Sequence, residues 1–145
     1  MFDLLLELNL RVPFLLGRAL IPKMAERGGG SVVSVSTAAA RIGTATSAAY
    51  GAAKAGLESL TRAWAAEYGP HGVSVTAVAA GPTRTPGTEA AAPVLTRLAA
   101  AYPAGRLLEP GEVADAIAYL AGAPYLHGAI LTVDGGASVV APSAR

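Results

Sequence analysis

The chain contains no cysteine, which excludes disulfides and thiol chemistry and fits a reducing, cytoplasmic setting. Charged residues are sparse at 14% and nearly cancel, leaving a net charge of +1. Electrostatics therefore points to neither nucleic acid nor an anionic membrane as a partner. The two histidines, His71 in a turn after Pro70 and His127 before a strand, are not placed as metal ligands, so no metal is expected. Long apolar runs are missing as well. In MFDLLLELNLRVPFLLGRAL, Asp3 precedes the apolar residues and Glu7, Arg11 and Arg18 interrupt them. With no basic segment ahead, this is neither a signal peptide nor a membrane span. A soluble chain is expected.

What is present is apolar: 52% of the 145 residues are hydrophobic. That length implies one domain, able to bury roughly 68–70% of its unfolded surface. So much apolar content beside so little charge implies surface meant for burial against something else.

Residues 1–26 carry a broad apolar stripe (Leu5, Leu8, Val12, Leu15, Leu16, Ala19, Leu20) and read as a helix. Pro13 is expected to kink it, and Asn9, a poor helix former, reads as a surface residue. Gly28-Gly29-Gly30 ends the helix. Ser31 to Val35 reads as a short buried strand, residues 37–47 as a loop, and 47–68 as a second helix, stopped at Gly69-Pro70-His71-Gly72. On that helix Glu58, Arg62 and Glu67 read as a solvated face, and Trp64 and Tyr68 as packing residues.

Val73 to Ala79 is a second strand of the buried, parallel type. A loop from Gly81 to Gly87, an Ala-rich helical segment over 89–101, a helix from Pro110 to about Leu120 and a strand from Gly128 to Val133 follow. Asp134-Gly135-Gly136 reads as a closing turn, and the tail from Val139 as frayed or packed on a partner. Strands alternating with helices imply a parallel sheet with right-handed crossovers. Three strands, the first with no upstream neighbour, make half of a doubly wound domain.

One constellation stands out. Tyr50 and Lys54 are four apart on the second helix, so phenol and ammonium share a face. A nearby positive charge favours the ionised phenol and brings it toward neutral-pH acid/base work. The hydroxyls of Ser36 and Thr37 come off the end of the first strand, where open α/β sheets place their ligands. Tyr-x-x-x-Lys alone arises by chance in Ala-rich helices. A strand-borne hydroxyl thirteen residues before the tyrosine makes it a carbonyl-reducing site.

These residues resemble the C-terminal half of a short-chain dehydrogenase/reductase. GGGSVVSVST is similar to that family's strand ending in the catalytic Ser, and SAAYGAAKAGLESLTRAWAAEYGPHGVSVTAVAAGPTRT to its Tyr/Lys helix, next strand and nicotinamide-side loop. Leu8-Asn9-Leu10 with PFLL resembles its Asn-bearing helix. GRLLEPGEVADAIAYLA and GAILTVDGG resemble its last helix and strand, in the 3-oxoacyl-carrier-protein reductase-like branch.

The resemblance implies an α/β fold: residues 1–145 as a single partial Rossmann-type domain, three strands with flanking helices, the N-terminal cofactor-binding half absent. It implies NAD or NADP as cofactor, hydride transfer with a small carbonyl/alcohol substrate, and a catalytic set of Tyr50, Lys54, Asn9 and Thr37 or Ser36. Tyr50 would move the proton, Lys54 would lower the Tyr50 pKa and hold the ribose, and Asn9 would hold a water. Tyr50, Lys54, Gly81, Pro82, Thr83 and Thr85 would meet the nicotinamide side.

Departures exist. Thr37 stands where the family usually has Ser, Ser34 and Thr76 where relatives often have Asn, and Ala80 replaces a proline, which implies a looser following loop. The Gly-rich phosphate turn has no counterpart, since Gly28-Gly29-Gly30 precedes a strand. Two expectations follow. The chain is an oxidoreductase that is inactive as an isolated fragment, or it is a non-catalytic partner pairing with itself or a full-length relative through the 1–26 and 47–68 helices.

Overall fold

The computed structural model describes residues 1–45 and 47–139. The chain begins with α1 (Phe2–Leu6), a π-helical turn (Glu7–Arg11) and α2 (Val12–Glu26) in direct succession. β1 (Gly30–Thr37), α3 (Ala48–Tyr68), β2 (Val73–Ala80), α4 (Ala92–Ala99), α5 (Pro110–Ala121) and β3 (Ile130–Val133) follow. Tail residues from 140 on lie outside the described residues.

The chain before Pro13 is not regular α-helix but a π-helical turn. Pro13 has no N–H to give to the Asn9 carbonyl four residues back, and the turn before it is widened, with the Val12 N–H bonding Glu7 O. Asn9 sits in that turn. It is half-buried, not a surface residue, and its Nδ2 donates to Leu5 O at 3.0 Å. Gly28 and Gly29 leave α2 with φ of 90° and 138°, conformations only glycine holds without strain.

The sheet is parallel, in the order β1-β2-β3. Register runs from Gly30↔Val73 to Thr37↔Ala80, then Ala77↔Ile130 to Ala80↔Val133. β2 is central and buried on both faces from Val73 to Ala79, which is why its sequence does not alternate. β3 is shorter than expected: Gly128, at φ 69°, still belongs to the turn before it. Gly128 nonetheless donates its N–H to Val75 O at 2.8 Å.

α2 and α3 cover one sheet face, where Ile21, Trp64, Ala65, Val73 and Val75 form the core with Val32, Leu60 and Met24 against it. Phe14 stacks on Trp64 with centroids 6.3 Å apart, so Trp64 is a packing residue as expected. α5 packs against the same sheet's strands. Among the described residues one edge of β1 has no partner strand.

Candidate active site

All three strands end together, at Thr37, Ala80 and Val133, and the candidate residues other than Asn9 gather at that end. The α3 helix begins at Ala48, so Tyr50 lies in its first turn and Lys54 one turn further on. Thr37 is extended (φ −144°, ψ 152°), and its Oγ1 accepts the Ala39 N–H at 3.3 Å, capping the short 3-10 turn Ala38–Ala40. Gly51 lets α3 meet that turn, because a Cβ there would lie 2.8 Å from Ala39 O. Helix start and strand end are thus pressed together, and the Thr37 hydroxyl comes to the phenol.

Burial pushes the Tyr50 pKa above its ordinary value, while a hydrogen bond with the Thr37 side chain pulls the other way. Burial likewise lowers the Lys54 pKa. The ammonium lies 5.8 Å from the Tyr50 ring centroid and donates to Val35 O at 2.8 Å. The tuning of the phenol expected from i,i+4 spacing is therefore not made in this arrangement. Lys54 shares the face of Tyr50, but its charge is drawn to a carbonyl of β1.

Ser36 is not presented to the phenol. It is buried, and its Oγ donates to Glu58 Oε1 at 2.9 Å. Glu58 corrects a second expectation: far from lying on a solvated face, it is 4% exposed. Its Oε2 accepts Arg41 Nε at 3.2 Å, and Arg41 reaches Thr132 Oγ1 on β3 at 3.0 Å. Sequence reasoning missed this group. The available signal was Glu58's position four residues beyond Lys54 and eight beyond Tyr50, on their side of the helix.

The loop after β2 is held firmly despite Ala80. Leu108 N–H bonds Pro82 O at 3.0 Å and Arg84 N–H bonds Leu108 O at 2.8 Å. Thr83 Oγ1 donates to Gly81 O at 2.9 Å, and Thr85 pairs with Thr88 in a capping box, so both hydroxyls have partners within the loop. A Cβ on Gly81 would fall 2.7 Å from the Asp134 Cα. The missing side chain there accommodates the turn after β3. The Asn9 turn packs on α3, Leu10 filling the space left open by Gly56, but the Asn9 amide is spent on Leu5 O. Among the described residues no cluster of His, Cys, Asp or Glu could hold a metal, and no helix is long and apolar enough to cross a membrane.

A family model described as enoyl-(acyl carrier protein) reductase matches residues 1–138. A solved structure described as a short chain dehydrogenase/reductase family protein superposes with a TM-score of 0.90 at 43% identity, covering 96% of this chain. The chain belongs to the short-chain dehydrogenase/reductase family. Among its short-chain dehydrogenase/reductase relatives, the cis-4-hydroxycyclohexanecarboxylate dehydrogenase of Sinomonas cyclohexanicum is 43% identical over 138 residues, 93% of this chain. A structure described as a putative NAD(P) dependent gluconate 5-dehydrogenase from Beutenbergia cavernae, with bound NADP at low occupancy, has a TM-score of 0.85 at 36% identity, covering 90% of this chain. The chain spans only 55% of the Sinomonas enzyme's length, and 58% and 55% of the two structures. The sheet described above is thus a partial Rossmann-type sheet.

Proposed function

We propose that this chain is the catalytic half of an NAD(P)(H)-dependent oxidoreductase acting on a small carbonyl/alcohol pair, with residues 1–145 as one partial domain. The observation that carries the reading is the seating of the start of α3 on the C-terminal end of β1, where Gly51 lies against Ala39 O, Lys54 donates to Val35 O, and Tyr50 stands beside Lys54 with Thr37 at the strand end. The donor set suits the nicotinamide end of a dinucleotide: hydroxyls of Tyr50, Thr83 and Thr85, the ammonium of Lys54, and the backbone of Gly81 and Pro82. For the adenosine and phosphate end the chain offers no Gly-rich strand-to-helix turn. When bound, the nicotinamide supplies or takes up the hydride.

The chain's own residues handle the oxygen and the proton. The Thr37 hydroxyl hydrogen-bonds the substrate oxygen. Tyr50, a phenol whose burial favours the protonated form, delivers its proton to that oxygen during reduction and recovers it during oxidation. Lys54 leaves Val35 O to hold a ribose hydroxyl and favour the tyrosinate. Asn9 holds a water on the solvent side of Lys54. Ser36 serves as a support for Thr37. A cytoplasmic location suits a cysteine-free chain with this chemistry.

A specific surface favours a second reading, a partner that assembles without turning over substrate. A groove of about 640 Å³ runs between the first helix and α3, lined by Leu6, Leu10, Phe14, Gly56 and Leu60. Leu4, Leu8 and Leu15 on the same helix are exposed. This surface suits a second copy or a related chain.

Titration of the purified chain with NADPH and NADH, following nicotinamide fluorescence with the oligomeric state measured on the same sample, separates the readings. Saturable binding that Lys54→Ala weakens supports the oxidoreductase. No binding by a folded, soluble oligomer favours the partner.

A further inference from the structure

We infer that Glu58 is a positioning residue for this site: one buried carboxylate, on the helix that carries Tyr50 and Lys54, grips the segment bearing Thr37 at both ends, through Ser36 and Arg41. The inference rests on the oxidoreductase reading above and names a residue that reading did not need. Ser36 precedes Thr37, and Arg41 closes the 3-10 turn that follows it. Both donate to the same side chain, at 2.9 Å and 3.2 Å on separate oxygens. Arg41 carries the tie on to Thr132 of β3 at 3.0 Å. A single group on α3 thereby joins the end of β1, the turn beyond it and β3.

The chemistry explains why a carboxylate serves here. Ionised, it only accepts, and its two oxygens take a hydroxyl and a guanidinium at once. At 4% exposure the charge is strongly disfavoured without its partners. The partners are therefore held in place, and with them the residues between. Thr37 lies at a strand end, where fraying would let its hydroxyl swing from Tyr50. The close approach of Gly51 to Ala39 O seats the turn against the start of α3, and Glu58, two turns further along the same helix, holds Ser36 and Arg41 on either side of it.

The test uses the full chain labelled with ¹³Cζ-tyrosine, following each phenol through a pH titration by NMR, with Tyr50 assigned through Tyr50→Phe. Thr37→Val removes the hydroxyl that offsets part of the upward push of burial on the Tyr50 pKa, so the midpoint moves further upward. Glu58→Gln, with unchanged far-UV circular dichroism, is expected to move it in the same direction and by the same amount. The double variant should add nothing further.

A Tyr50 midpoint that follows Thr37→Val but ignores Glu58→Gln overturns the positioning role and leaves the site reading intact. A midpoint indifferent to Thr37→Val removes the Thr37–Tyr50 contact itself, and both readings fall. Should Glu58→Gln not fold, Arg41→Gln opens only the half-exposed arm of the grip. An upward shift then supports the role, and an unchanged midpoint overturns it.

Discussion

Tyr50 and Thr37 differ in what each can lose. Tyr50→Phe removes one oxygen from a half-buried ring and leaves its packing on Lys54, so the fold should survive. In any assembly that shows turnover, this variant should lower the rate by at least 10²-fold, the lower end of what positioned acid/base groups contribute, with an unchanged melting curve. A steady-state assay with circular dichroism on the same sample checks it. Thr37→Ser keeps the single hydroxyl that caps Ala39 and is offered to the phenol, and should retain most activity. Thr37→Val keeps only the shape and should not. If Thr37→Val ran at full rate, the hydroxyl role would be misassigned. Gly51 makes the point from the other side, since a methyl there has Ala39 O in its way and would push Thr37 from Tyr50.

At the scale of elements, the turn after β3 depends on one carboxylate. Asp134 is buried, and its two oxygens accept Gly136 N–H at 2.8 Å and Ser138 N–H at 2.9 Å. Burial alone would raise its pKa, but the bonds from Ser138, Gly136 and Ala137 outweigh that and hold it below the ordinary 3.8. A depressed carboxylate stabilises the fold above its unfolded pKa and loses that contribution as pH falls through the folded one. Asp134→Asn should therefore cost about 1.5–3 kcal/mol at neutral pH, the range for hydrogen bonds to charged groups. The gap to the parent should begin to narrow below about pH 4, the unfolded value, and close only as pH falls through the lower folded one; urea melts at pH 7 and at steps below pH 4 measure both. On β2, Thr76 Oγ1 is fully buried without a protein hydrogen-bond partner. Thr76→Val keeps the shape, improves the strand and should stabilise by about 1 kcal/mol.

The elements were largely readable from sequence, because the period of apolar residues and the glycine and proline stops are local properties. That Tyr50 and Lys54 share a helix face near the strand end at Thr37 was readable for a similar reason: sequence spacing fixes it. Glu58 was not, since a charge on a helix looks the same in sequence whether it meets water or a strand end. The turn at Asn9 was hidden too, because how a helix answers a proline depends on which neighbouring N–H groups can shift.

For the molecule as a whole, two apolar surfaces among the described residues are open to association, and the partner reading rests on one of them. The β1 edge carries no charge and no proline to deter pairing, Val35 is 45% exposed beside it, and a groove of about 340 Å³ lies between that edge and α2. An edge of this kind templates open-ended association. The first helix offers the other surface, with Leu8 at 57% and Leu15 at 43% exposure. A helix face paired with its own copy closes on itself and stops at a defined size. The two surfaces should therefore respond to different substitutions. On the partner reading the parent forms a concentration-dependent dimer in sedimentation velocity, and Leu8→Lys with Leu15→Lys should reduce it to a monomer. Val35→Lys should leave that dimer intact and slow the growth of light scattering on storage. If the helix variant sedimented as the parent while Val35→Lys abolished association, the sheet edge would be the assembly surface and the helix-face partner reading would fail.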